Sequence, residues 1–160
     1  MNTPNIRSRK LRKISFSGPG WHRSVALKLF HANLIALFVR FAMLLRFIVV
    51  VIGPIRSGKT LILDRATPSK VFSKRDEIIG FPIQIRPTLS VSELPEGKFS
   101  IDDVEIYDPD SLKTTIQNLR GRTLILSLRC ESDLREFNLD HLLPARRRLI
   151  LVLERAVNSS

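Results

Sequence analysis

A three-layer α/β domain on a mainly parallel sheet is the fold class this sequence predicts, and three observations predict it. Residues 47–52 read Phe-Ile-Val-Val-Val-Ile, apolar throughout and all β-branched or aromatic, which suits a strand covered on both faces. Runs of strand character at 82–86, 98–102, 123–128 and 149–153 alternate with segments of helical character, the order that builds a parallel sheet with helices on its faces. The chain has 160 residues, enough for one domain with a real core and little room for a second.

Residues 1–23 are basic, carry Ser8, Ser15 and Ser17, and contain the breaker Gly18-Pro19-Gly20. Nothing there builds a core, so a mobile, disordered tail is expected. Residues 24–45 are strongly apolar and helical, interrupted by Lys28, His31 and Arg40, and their length matches the ~20 residues of a membrane span. Four readings stay open for this stretch. One is a membrane-associated helix, with both flanks basic. The others are a targeting segment, an upstream extension of a reading frame that starts at Met43, and a helix packed on the domain. The domain proper is expected to occupy 46–157.

The next element is the most specific. Residues 53–60 read Gly-Pro-Ile-Arg-Ser-Gly-Lys-Thr, the full G-x-x-x-x-G-K-[ST] spacing, directly after the apolar strand. A triphosphate needs backbone N–H groups converging on one small concavity, and Gly53 and Gly58 leave room for that approach. Pro54, Ile55, Arg56, Ser57 and Leu61 complete the loop and the start of the helix. Lys59 is placed to reach the β- and γ-phosphates and is expected to face solvent, while Thr60 offers a hydroxyl to Mg²⁺. Through Gly53, Gly58, Lys59, Thr60 and the strand before them, the chain resembles the P-loop NTPase superfamily. The resemblance implies a bound purine nucleotide with Mg²⁺, ATP by default because no guanine-reading N-K-x-D motif is present, and often hydrolysis of the terminal phosphate.

The helix opened by the loop runs into Pro68 and is expected to be short. A helical turn is expected near Lys74, and a peripheral strand at 82–86, bracketed by Pro82 and Pro87. Residues 98–103 read Lys-Phe-Ser-Ile-Asp-Asp, a strand ending in paired acids. The P-loop resemblance implies that such a strand lies next to the loop's own strand. On the RecA-like branch it implies Asp102 as the acid serving the metal and Asp103 as the catalytic acid where Glu is usual. Asp108 is the rival for the metal, although Asp108-Pro109-Asp110-Ser111 also reads as a helix cap before Leu112. Gly121 is a natural terminator for that helix. On the strand at 123–128 the same resemblance makes Ser127 or Arg129 a sensor of the γ-phosphate. A helical connector over 131–143 and the basic run Arg146-Arg147-Arg148 precede the last strand.

The net charge of +11 belongs to the first 63 residues, which hold eleven basic and no acidic side chains, while residues 64–160 carry 15 of each sign. Global charge is therefore a poor guide to what the core binds. A lone Cys130 excludes a disulfide framework and a cysteine-rich zinc site, and makes a cytoplasmic setting the default. His22, His31 and His141 suggest no metal or nucleophilic constellation, and Trp21 and Tyr107 form no stacking platform. No internal repeat or coiled-coil heptad is evident.

The expected function is Mg-ATP binding with weak or partner-stimulated hydrolysis, driving or regulating a larger assembly, on the model of reduced RecA-like motor ATPases, including those of DNA transfer. A small-molecule kinase, for instance of a nucleoside, and a non-hydrolysing nucleotide-binding adaptor are the alternatives. A protein partner or homo-oligomer is expected, with nucleic acid, and a membrane through residues 24–45, as further partners.

Overall fold

The computed structural model describes residues 12–17, 25–77, 85–119 and 122–154. Among the described residues six strands form one sheet: Arg12–Ser17 (β1), Ile48–Ile52 (β2), Val71–Phe72 (β3), Phe99–Ile101 (β4), Leu124–Leu128 (β5) and Arg148–Glu154 (β6). Their order is β1-β6-β2-β5-β4-β3, and every pairing is parallel. Helices Val25–Leu44 (α1) and Lys59–Ala66 (α2) cover one face, and Pro109–Asn118 (α3), Glu131–Glu136 (α4) and Leu139–Leu142 (α5) the other. Strand alternation sorts the core between them. Val49 and Val51 of β2 join Ile62 and Leu63 of α2, whereas Val50 and Ile52 join Leu112 and Ile116 of α3. Burial on both faces is why β2 reads as a continuous apolar run and β5 as one broken only by Ser127.

Three features depart from the sequence expectation. Arg12–Ser17, expected in a disordered tail, is a strand paired along its length with β6. Its Lys13-Ile14-Ser15-Phe16 alternation suits an edge position, where Phe16 packs toward α1 with ring centroids 6.0 Å from Phe38. Second, the domain expected from residue 46 is not where packing starts: α1, for which a helix packed on the domain is one of the open readings, lies on the sheet, burying Ala32, Ile35, Ala36, Val39, Ala42 and Met43. The packed unit therefore begins well before residue 46. By length and composition, α1 is the one helix among the described residues suited to crossing a membrane. Third, β4 does not neighbour β2, because β5 is inserted between them. Most of the expected strand at 82–86 and the terminator Gly121 lie outside the described residues, as do Trp21 and His22.

The remaining ends are set locally. Helix α1 stops where Phe47 N–H bonds Ala42 C=O and Arg46 N–H bonds Met43 C=O, with Arg46 at φ 61°, a Schellman turn that feeds straight into β2. The Asp108 carboxylate accepts the Ser111 N–H at 2.9 Å and Pro109 opens α3, so Asp108 is a helix cap.

Candidate functional site

All six strands point the same way, so their carboxyl ends share one edge, where ligands bind in open α/β sheets. Three segments meet there: the loop after β2, the acids after β4 and the residues after β5. Gly53 N–H extends the ladder by bonding Leu128 C=O at 3.1 Å, which holds the loop's first residue against β5. A Cβ at Gly53 would lie 2.7 Å from Ser57 Oγ and 2.9 Å from Leu153 Cβ, so only glycine fits. The turn then needs left-handed backbone at Arg56 (φ 65°) and Gly58 (φ 89°). Gly58 caps α2 without a side chain, and the first-turn N–H groups of a helix have no partner within it. They face the loop's concavity with the positive end of the helix dipole.

Lys59, expected to face solvent, is buried at 7% exposure. Its stem folds back over the loop, and its ammonium donates to Gly53 C=O at 2.5 Å and Pro54 C=O at 3.2 Å. Burial pulls its pKa below the ordinary lysine value, opposed by the charges of Asp103, Glu105 and Asp102. Thr60 lies on the next position, and its hydroxyl donates to Asp102 Oδ2 at 2.7 Å. This contact joins residues 42 apart in sequence and brings together the two side chains assigned to the metal.

Asp102 is held from its other side by Ser127, whose hydroxyl donates to Oδ1. Ser127 Oγ in turn accepts the Asp103 N–H at 2.8 Å. Ser127 is fully buried and does not line the cavity. Here it is a buried post that orients Asp102 and the backbone of Asp103. Its place on the inserted β5 explains this, since Ser127 lies between β2 and β4 in the sheet. Arg129, just past the end of β5, is the residue of that strand that reaches the cavity.

Asp103 turns out of the strand in left-handed backbone, φ 48°, and its carboxylate lies 2.9 Å from the Arg75 guanidinium. Burial, then the charge of Asp102, push its pKa up, and Arg75 and Lys59 oppose them. Two residues on, Glu105 lines the same cavity. Its pKa is raised by burial, and its Oε2 is buried with no hydrogen-bond partner.

Between these segments lies a cavity of about 590 Å³ that holds five cations, Lys28, Arg56, Lys59, Arg75 and Arg129, against Asp103 and Glu105, while Asp102, bonded to Thr60, is outside its lining. Ile55 is exposed on its rim, Leu61 lines it, and buried Ser57 leaves its hydroxyl unpartnered. A cationic, N–H-lined concavity is suited to a polyanion. Among the described residues no three His, Cys, Asp or Glu gather as a metal cage. Mg²⁺ needs no such cage, because it keeps waters and takes one or two protein oxygens beside phosphate; the Thr60 and Asp102 pair fits that demand.

Lys28, Arg75 and Glu105 escaped the sequence reading. Lys28 comes from the covering helix and Arg75 from a 3₁₀ turn, Arg75–Glu77, and neither carries a local signal. Glu105 follows the paired acids and could have been found as a third acid within reach of the same edge. Asp108 caps α3 and does not line the cavity. Arg146, Arg147 and Arg148 lie at the opposite, amino-terminal edge of the sheet. Neither a protein-family model nor a curated protein matches this chain.

Proposed function

We propose that this chain is an Mg-ATP-binding protein of the P-loop NTPase type. The observation that carries the reading is the Thr60 to Asp102 hydrogen bond, 2.7 Å long, at the mouth of a loop whose sequence spacing is that of a phosphate cradle. Chance matches to the loop pattern have no reason to bring a strand-end acid onto the hydroxyl of its last residue.

In this reading the N–H groups of the loop and of the first turn of α2 receive phosphate oxygens. The Lys59 ammonium leaves Gly53 C=O and Pro54 C=O for the β- and γ-phosphates, a move favoured because burial already disfavours its charge where it lies. Bound Mg²⁺ would neutralise charge on those phosphates. Thr60 and Asp102 would hold the ion, with Ser127 fixing the Asp102 carboxylate. Asp103 and Glu105 are the acids placed to hold the attacking water, and Arg56, Arg75 and Arg129 are the cations placed for charge that develops on the γ-phosphate.

One observation favours the non-hydrolysing alternative as the resting behaviour. Asp103 is engaged by Arg75 at 2.9 Å, so the shorter acid in the catalytic position is also occupied. Binding without rapid turnover until a partner draws Arg75 away accommodates both facts. A nucleoside-type kinase would need an acceptor site beside the same cavity, and only phosphorylated product with a candidate acceptor would support it.

Calorimetry of the full chain with Mg-ATP and Mg-GTP, beside Lys59→Ala, tests the reading. The expected result is micromolar binding of at least one nucleotide, weakened 100-fold or more in Lys59→Ala, with far-UV circular dichroism unchanged. Removing Mg²⁺ with chelator should weaken binding further in the wild type than in Thr60→Val. A folded wild type that binds neither nucleotide would sink the proposal.

A further inference from the structure

The outward face of α1 is apolar where a helix on a sheet ordinarily turns polar residues to water. Opposite the buried stripe, Leu27, Phe30, Leu34, Leu37, Phe41 and Leu44 are each more than half exposed. Their steps along the chain are three, four, three, four and three residues. Those are the steps of one face of a helix, and the same 3-4 alternation serves as an a/d seam when two helices pack side by side. The positions flanking the stripe carry Ala26, Asn33 and Arg40 on one side and His31, Phe38 and Leu45 on the other. Arg40 is turned away, donating to Arg65 C=O at 2.6 Å and Ala66 C=O at 3.3 Å, so no charge stands in the seam.

We infer that a second copy of this chain covers this face, α1 packing against α1 of its partner. The area supports it. Leucine and phenylalanine side chains left half exposed present on the order of 100 Å² each, so these six with Leu45 supply roughly 700 Å², close to the ~800 Å² each partner gives to a standard stable interface. A monomer rarely leaves a contiguous apolar patch beyond ~600 Å². The seam runs along a helix of 20 residues, about 30 Å, with a rigid sheet behind it, so little order is lost on pairing. The pairing stands apart from any nucleotide, although Lys28 of the same helix lines the cavity.

Sedimentation velocity of the full chain at about 20 µM in 0.15 M salt reads the inference directly. The wild type should sediment at twice the chain mass, and Leu34→Glu/Leu37→Glu at the chain mass with unchanged circular dichroism. Ile85→Glu, equally exposed at 57% but outside α1, should remain paired. The milder Leu37→Gln should weaken pairing 10-fold or more and guards against a misfolded double variant. A monomeric wild type, or pairing that survives the stripe variants, overturns the inference. So does a wild type that is monomeric yet floats with phosphatidylserine vesicles in a stripe-dependent way, which would give the face to a lipid surface.

Discussion

Glu105 holds a carboxylate oxygen buried against the cavity with no partner, and its protonation decides what that costs. Burial raises its pKa above the ordinary glutamate value, so the fold favours the neutral acid. The stability this contributes is whole below the unfolded pKa and is lost as the pH rises through the folded one. Glu105→Gln keeps the neutral shape at every pH. The variant should therefore melt above the wild type at pH 8, and the two should converge near pH 4. A gap that persists unchanged at pH 4 would show that the carboxylate is not what is relieved. How much of the site could be read in advance follows from the range of the forces involved. Gly53, Gly58, Lys59 and Thr60 were legible because one loop's own geometry demands them at fixed spacing. Asp102 was legible because an acid closing an apolar strand is a local pattern. Arg75 and Lys28 were not, since only the folded chain brings a 3₁₀ turn and a covering helix to the same edge. Lys59 was placed in solvent because nothing local reports that its own loop's carbonyls take its ammonium.

At the level of elements, the loop between β2 and α2 is held by contacts that glycine alone permits. An added methyl at Gly53 meets Leu153 on β6, whose Cβ at 2.9 Å and C=O at 3.2 Å are fixed by the sheet, so the loop rather than the strand must move. Gly53→Ala should cost about 1–3 kcal/mol, the usual penalty of overpacking a tight site, read as a lower urea midpoint, and should impair nucleotide binding more than it impairs folding. Asp108 is the contrasting case, because its carboxylate serves α3. Asp108→Ala should cost about 1 kcal/mol through the lost cap and leave the Mg²⁺ dependence of nucleotide binding untouched; an altered metal dependence would return Asp108 to the site. The cap was legible from Asp-Pro-Asp-Ser because capping is a matter of four neighbouring residues. Strand β1 was hidden for the opposite reason, since Ile14 and Phe16 alternate inside a basic segment and only pairing with β6 distinguishes them from a tail. The two stripes of α1 were equally hidden. When nearly every position is apolar, the sequence carries no phase, and the exposed 3-4 spacing emerges only once the sheet has claimed the other face.

Across the whole molecule, α1 decides what the smallest folding unit is. A chain beginning at Met43 reads as an ordinary start to a P-loop domain, with a strand four residues later. Packing argues against its sufficiency, because the face carrying Val49, Val51, Ile125, Leu149 and Leu151 is roofed by α1 together with α2. Starting at Met43 removes Ile35, Val39 and the partly buried Phe38 along with Ala32, Ala36 and Ala42, and it removes β1 from the edge of β6. Deleting a large core side chain costs about 2–5 kcal/mol, so three of them approach the whole 5–15 kcal/mol that holds an ordinary domain together. The eight residues of α2 cannot spread to cover the loss. Residues 43–160 expressed alone should be insoluble, or should bind a hydrophobic dye and unfold without a cooperative transition, whereas the full chain shows one. A soluble fragment with a sharp melt and nucleotide affinity equal to the full chain's would refute this. It would mean that α2 and the opposite layer suffice and that α1 is an appendage, leaving no structural reason for Lys28 to border the site.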